Sequence, residues 1–396
     1  MIYRINVWER SGMEPRLAGE MVSEFGETSK PRSAFRYDRA YLESPGAFPL
    51  DPVTLPLKPE PFAAVDPPMF GIFDDSLPDD WGKKLLVRQH SLPRHSQNPP
   101  NLLLALASSG LGALSFTETN QPQNRQPATS ILHLADLVTA AEQFEHGDLQ
   151  EPNLSLLFGA GSSPGGARPK AVVYDDDTGT HYIAKFPSVK DHVDVVRIES
   201  ATMNMAARAG LNIPDTRLVQ CASKSVLLVR RFDIIPTGRR HMISFQTLLK
   251  AHGYYLHRYQ DLLAVLRKYS TAPKEDSELF FRQMVFNAVV GNTDDHLKNF
   301  WMVFDYLQGW RLSPSFDLIP NVGRNDEPVL LFDQSAYFPG RSKLEKLGQQ
   351  WGIHNAGSIV SQVFDTVAGW KDIFASTGVP EIDINKFKEI DSNVQS

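Results

Sequence analysis

Apolar and polar positions alternate in short runs over residues 1–56, as in Ile2-Tyr3-Arg4-Ile5-Asn6-Val7-Trp8, with Gly, Pro and Ser between the runs. A repeat of two predicts a small β-rich unit. Residues 77–88 open with Asp79 and Asp80 and end with Arg88, a charge order that suits a helix dipole and predicts a short helix. Two polar, proline-bearing segments, 91–100 and 119–130, show no periodicity, and the second marks a domain boundary. From residue 156 the pattern changes to a glycine-rich turn at 159–166, a run Ala171-Val172-Val173-Tyr174, an acidic turn ending at Gly179, and a second run at 182–186. Loop, strand, turn, strand is the economical reading. Residues 194–209 place Val195, Ile198, Met205 and Ala209 at helical spacing and stop at Gly210. Val226-Leu227-Leu228-Val229 predicts another strand, and beyond Asp233 the spacing turns helical, at 259–269 and 278–290.

This order predicts an α+β fold, bilobal and protein-kinase-like, with a β-rich N-terminal subdomain (1–125), an N-lobe carrying a phosphate loop (126–232) and an all-helical C-lobe (233–396). Other α+β folds share such an order. The length of 396 residues fits two or three compact units, and 42% hydrophobic with 22% charged residues fits a folded chain with a real core. A formal charge of −6 gives no electrostatic reason to bind nucleic acid over the whole surface. The single cysteine, Cys221, cannot form a disulfide within the chain, and no charged-then-apolar leader opens it. The longest apolar stretch, 102–116, is cut by Ser108, Ser109, Gly110 and Gly112 and falls short of the roughly 20 residues of a membrane span. A cytoplasmic protein without membrane contact is expected.

The candidate chemistry lies in Gly291-Asn292-Thr293-Asp294-Asp295-His296-Leu297-Lys298-Asn299-Phe300, directly after a predicted buried helix. An Asp followed five residues later by an Asn is the spacing of a kinase catalytic loop, where the Asp accepts the substrate hydroxyl proton and the Asn holds magnesium. Alone it is weak, because Asp after Gly-Asn-Thr is also ordinary capping and turn chemistry. Apolar runs at 300–304 and 310–312 then flank a Gly-containing turn, and Pro314-Ser315-Phe316-Asp317-Leu318 brings a second acid back. A hairpin of that length would return Asp317 beside Asn299, giving a carboxylate and an amide oxygen to a hard cation. With Lys298 in place, the set favours Asp294 as base and Asn299 and Asp317 as magnesium ligands. His296 reads equally as a structural histidine or a nucleotide contact. Asp295 does not belong to a calcium loop, since the alternating acids and distal Glu of an EF-hand are missing.

The loop 159–170, with Ser162, Ser163, Gly165 and Gly166, could wrap phosphates with backbone N–H groups, yet it matches neither the dinucleotide fingerprint nor the Walker loop. A surface turn explains it too. Lys185 ends the second strand, as the phosphate-binding lysine of protein kinases does, and Glu199 on the next helix is placed to pair with it. The alternative is a solvated strand-end lysine.

In the order of its motifs the chain resembles the HipA family of bacterial toxin kinases over nearly its whole length. The matching stretches are Phe73-Asp74-Asp75-Ser76-Leu77-Pro78-Asp79-Asp80-Trp81-Gly82, Gly112-Ala113-Leu114, residues 163–170, Arg231-Phe232-Asp233, residues 294–300 and Phe316-Asp317. The resemblance implies a serine/threonine kinase using ATP and Mg2+, with Asp294 as base, Asn299 and Asp317 on magnesium, and Lys185 on the phosphates. It implies Phe232 and Asp233 in the hinge that holds the adenosine. Ser163, Gly165, Gly166, His296 and Lys298 complete the nucleotide site. Ser163, or the adjacent Ser162, would be autophosphorylated, displacing the loop and silencing the enzyme. Implied partners are a small helix-turn-helix antitoxin, HipB-like, and an aminoacyl-tRNA synthetase as protein substrate; DNA would be reached only through the antitoxin. The chain departs from the family's pattern at Arg230, Asp295 and Pro164. Two rivals remain: a small-molecule phosphotransferase of the antibiotic-kinase type, and a non-catalytic module that docks an antitoxin.

Overall fold

The computed structural model describes residues 1–26, 30–122, 129–148, 156–157, 168–253, 255–323 and 328–396. They form two compact units, each assembled from separated stretches. The first is Met1–Ser188, Arg230–His252 and Val303–Leu307, and the second is Val189–Val229, Gly253–Met302 and Gln308–Ser396.

In the first unit the alternating segments become β1 (Ile2–Glu9), β2 (Arg16–Glu24), β3 (Arg32–Tyr37), β4 (Phe62–Ala64) and β5 (Leu114–Thr117). They make an antiparallel sheet in the order β4-β3-β2-β1-β5. Tyr3, Ile5 and Val7 face inward from β1, and a register shift between Val7 and Trp8 buries Trp8 and Glu9 as well. Phe35 meets Tyr37, Phe70 and Phe73 edge-on at 5.0, 6.5 and 5.4 Å; such pairs add on the order of 1 kcal/mol each beyond their burial. Glycine is required at Gly19, where a Cβ would lie 2.3 Å from the Arg36 carbonyl oxygen and 2.7 Å from the Phe35 ring.

The stretch 102–116 resolves into the end of the helix Pro99–Leu106, a turn with Ala107 at φ 53° and Gly112 at φ 69°, and β5. Neither the helix nor this strand is expected from the sequence: the helix is nearly all apolar, and β5 has four residues, all buried, so neither shows a period. The helix Asp80–Gln89 does form where expected. β6 (Thr129–Ser130) runs parallel to β7 (Lys170–Asp175), which pairs antiparallel with β8 (Thr180–Lys185), setting Lys170 opposite Lys185.

Two buried polar groups tie these parts together. Asp75 accepts from the main-chain N–H and hydroxyl of Ser244 at 2.8 and 2.7 Å, fixing the start of the helix Phe245–Leu248. Asp233 accepts from Arg231 at 3.0 and 2.6 Å and from the Gly112 N–H at 3.0 Å, while the Gly110 carbonyl accepts from Arg231 and Arg239. Burial alone would raise the Asp233 pKa; the charge and hydrogen bonds of Arg231, with Arg239 and Gly112, hold it below the ordinary value. The short piece Val303–Leu307 completes the unit. Phe304 stacks on Phe48 at 4.2 Å, Asp305 pairs with Arg240 at 3.2 Å, and Tyr306 donates to the buried Glu9 at 3.2 Å beside the Arg16 guanidinium.

His241 is fully enclosed, and its Nε2–H donates to the Leu50 carbonyl at 2.7 Å. Burial pushes its pKa from 6.5 down to about 4, against smaller upward effects of that bond and of Glu9. A base whose pKa falls on folding adds stability above pH 6.5 that is lost as pH drops toward 4. The loss is on the order of 3 kcal/mol. In urea unfolding, His241→Gln, which keeps a donor but does not titrate, should lose less stability than wild type over this window; equal losses would overturn the assignment.

The second unit begins with the helix Val195–Arg208, whose Asp194 cap accepts from the Arg197 N–H at 3.0 Å. The Arg197 side chain then donates to Ser225, Gln220 and the Gly378 carbonyl, joining this helix to the hairpin Thr216–Cys221/Lys224–Arg230 and to the C-terminal helices. The strand Thr216–Cys221 is not anticipated by the sequence, being half-exposed along its length. The helix Tyr259–Tyr269 lies where expected, whereas its successor runs Pro273–Val290 and so starts five residues before the expected 278. Pro273 at its first position, which needs no N–H donor there, explains the earlier start. Five further helices close the unit: Arg341–Gln350, Ala356–Ala368, Trp370–Ser376, Glu381–Ile384 and Lys388–Gln395. Among the described residues no helix is long and apolar enough to cross a membrane.

Candidate active site

The helix Pro273–Val290 ends in a Schellman motif: Gly291 sits at φ 69°, its N–H donates to Ala288, and the Asn292 N–H reaches Asn287 at 2.9 Å. That exit launches the loop 292–299. The Asn292 side chain accepts from the Asp294 N–H at 3.0 Å and donates to Asn287 at 3.1 Å. Asn287 donates to the Tyr259 hydroxyl at 3.3 Å, and that hydroxyl donates to Asp295 at 2.7 Å. A buried chain of polar groups thus runs beneath the loop.

The two neighbouring acids face opposite surroundings. The Asp294 side chain is 38% exposed, with His296 Nε2 at 3.7 Å. His296 Nδ1 accepts from the Lys298 N–H at 3.2 Å, so the neutral ring carries its proton on Nε2, toward Asp294. Asn299 donates through Nδ2 to the Asp294 carbonyl at 2.6 Å. A carbonyl can only accept, which orients the amide and leaves Oδ1 for another partner. Asp295, by contrast, is 1% exposed and accepts from Tyr259 and from the N–H groups of Val329 and Leu330.

Burial pushes the Asp295 pKa from 3.8 up to about 6, while its hydrogen bonds pull the other way. An acid raised in this way stabilises the fold at low pH and loses that contribution as pH rises through 6. The loss is on the order of 3 kcal/mol. Asp295→Asn should therefore gain stability relative to wild type as pH rises from about 4 to about 6, the interval between the unfolded and folded pKa values. Urea unfolding at both ends checks this, and a constant difference would count against it.

Asp317 lies in a segment bonded at both ends to the same loop. The Ser313 N–H donates to the Trp301 carbonyl at 3.0 Å, two residues beyond Asn299, and the Asn321 N–H donates to the Gly291 carbonyl at 2.9 Å. Residues 313–321 therefore lie alongside 291–301. Arg311, held by the buried Asp276, fixes the strand Gly309–Leu312 that leads into it. Asp317 itself adopts φ 52°, a left-handed conformation that costs a non-glycine residue energy and recurs at functional sites. Asn299 and Asp317 offer only oxygen donors, one amide and one carboxylate, which suits magnesium with water completing the shell. Among the described residues no group of three His, Cys, Asp or Glu side chains forms a site for a softer metal.

The remaining candidates are placed less closely. Lys185 ends β8 in the first unit, and Glu199 is buried on the helix Val195–Arg208 in the second. Phe232 accepts at its carbonyl from Arg240 at 3.1 Å, and the Asp233 carboxylate is turned inward onto Arg231. Ser162, Ser163, Gly165 and Gly166 fall outside the described residues. Asn287, Asn292, Tyr259 and the inward role of Asp295 were not anticipated. The available signal was an amide, Asn287, inside a helix whose neighbours Phe286, Ala288 and Val289 are buried and apolar.

Comparison with known proteins adds to this geometry. Residues 14–117 match the HipA N-terminal domain and residues 162–370 the HipA-like C-terminal domain. Two proteins of Sinorhizobium fredii, Y4dM and Y4mE, each provisionally named a kinase, are 27% identical over 358 and 341 residues. These alignments cover 84% and 78% of this chain, and 83% and 77% of the relatives. The HipA structure from Shewanella oneidensis MR-1, solved in a toxin-antitoxin complex with HipB and operator DNA, matches with TM-score 0.70. At 17% identity, covering 98% of this chain and 95% of that one, it shows that the two share a fold. The α+β fold expected from the sequence is found and is shared with that HipA structure, but the stretch 233–396, expected to be all helical, also carries the strands His241–Ser244, Trp301–Asp305 and Gly309–Leu312. Since the C-terminal family model alone spans more than half of the residues, the chain belongs to the HipA family.

Proposed function

We propose that this protein is an ATP- and magnesium-dependent serine/threonine kinase acting as the toxin of a toxin-antitoxin pair. The loop geometry carries the reading most: Asn292 and Asn299 fix the main chain of Asp294 while its carboxylate faces out. In this role Asp294 takes the proton of the acceptor hydroxyl as its oxygen bonds to the γ-phosphorus; the bond to the β-phosphate oxygen breaks and ADP leaves. Magnesium, when bound, offsets phosphate charge, and Asn299 Oδ1 and the Asp317 carboxylate are the groups to hold it. Family resemblance gives Lys185 the role of phosphate contact with Glu199 as its ion-pair partner, and gives Phe232, Asp233, His296, Lys298, Ser163, Gly165 and Gly166 roles in binding the nucleotide. On this reading residues 1–125 form the N-terminal subdomain, 126–232 the nucleotide lobe and 233–396 the catalytic lobe.

The HipA–HipB–DNA assembly of the Shewanella neighbour supports a HipB-like, helix-turn-helix antitoxin as partner, with DNA reached only through it. The acceptor is a serine of a translation component in the cytoplasm, an aminoacyl-tRNA synthetase by family resemblance, and Ser163 or Ser162 is the site of autophosphorylation. Incubating wild type with Mg-ATP and locating phosphate by peptide mass spectrometry tests the reading. Phosphate on either serine supports it; no phosphate and no affinity for Mg-ATP would leave a docking module instead.

A further inference from the structure

The catalytic reading assigns no role to Asp295, yet both oxygens of its carboxylate are engaged. Oδ2 receives the Tyr259 hydroxyl at 2.7 Å, and Oδ1 receives the N–H groups of Val329 and Leu330 at 2.7 and 3.3 Å. One residue further on the same segment is held again: Leu331 donates to the His257 carbonyl and accepts from the Tyr259 N–H, both at 3.0 Å. Phe332 stacks on the Tyr259 ring at 5.3 Å. Residues 329–332 follow Asp317 in the chain, and the side chain that ties them down belongs to the immediate neighbour of Asp294. Displacing that segment displaces the loop that carries the base, and misplacement by about 1 Å costs about 10²-fold in rate.

We propose that Asp295 is a positioning residue for phosphoryl transfer: by holding the N–H groups of Val329 and Leu330 it fixes the segment beyond Asp317 against the catalytic loop. The transfer step depends on this tether, and nucleotide affinity does not. The inference rests on the kinase reading above.

The test compares full-length wild type, Asp295→Ala, Asp295→Asn and Tyr259→Phe. It measures single-turnover phosphoryl transfer from γ-labelled Mg-ATP, the Mg-ATP Kd by calorimetry, and amide hydrogen exchange at Val329 and Leu330. Asp295→Ala should transfer about 10²-fold more slowly with unchanged Kd, and both amides should exchange rapidly. Asp295→Asn keeps an oxygen for both amides and should recover toward wild type in rate and protection. Tyr259→Phe, which leaves the tether intact, should also stay near wild type. A wild-type rate for Asp295→Ala, or an asparagine variant as slow as alanine despite protected amides, would overturn the proposal and leave the kinase reading standing. If wild type itself transfers no phosphate, both fall. Should the alanine variant not fold, Asp295→Ser, polar but too short to reach both amides, carries the same expectations.

Discussion

Replacing Asp294 by Asn is expected to slow phosphoryl transfer by about 10²–10⁴-fold, the usual contribution of a general base, while Mg-ATP still binds. The main chain of Asp294 is held at both of its polar groups: its N–H donates to Asn292 and its carbonyl accepts from Asn299. The substitution leaves those groups in place and removes only the basic oxygen. Asn299→Ala should behave differently, because it loses both the tie to the Asp294 carbonyl and an oxygen for magnesium, so the magnesium dependence should shift as well as the rate. Single-turnover transfer and calorimetric Mg-ATP binding separate the two variants. Equal turnover by Asp294→Asn and wild type would remove Asp294 from the base role.

Asp233→Ala should produce the largest loss of stability. It would leave Arg231 and Arg239, 3% and 5% exposed, without their shared carboxylate. Removing one partner of a buried pair costs about 3–5 kcal/mol, a large part of the 5–15 kcal/mol that ordinarily separates folded from unfolded chains. The experiment also weighs the hinge role that family resemblance gives Asp233. A fall in Tm before any change in Mg-ATP affinity marks the carboxylate as an internal tie; weaker nucleotide binding at unchanged Tm would place it in the nucleotide site.

Much of this was legible because local rules sufficed. The alternation at 1–56 became β1 to β3, the Leu and Tyr spacing became the helix Tyr259–Tyr269, and Gly291 marked the exit on which the loop depends. The Asp-to-Asn spacing located the loop but could not say which of Asp294 and Asp295 faced outward. That choice depends on Tyr259 and on Val329 and Leu330, which are 34 to 36 positions away. The partition of the chain was equally hidden. Residues 303–307 read as the end of an apolar run and the start of a hairpin turn, and nothing local to them announces that Tyr306 meets Glu9, 297 positions earlier.

That separation has a consequence for the chain as it is made. A ribosome delivers Glu9 and Phe48 at the start and Phe304 and Tyr306 only after three quarters of the 396 residues. At about 5–20 residues per second, the wait between Glu9 and Tyr306 is roughly 15–60 s. Throughout it, the nascent N-terminal portion holds a carboxylate and an aromatic ring built for burial with their cover not yet synthesised. The first unit, although begun at residue 1, therefore cannot close until residues 303–307 have been made just beyond the loop 292–299, which leaves surface built for burial open to aggregation throughout that interval.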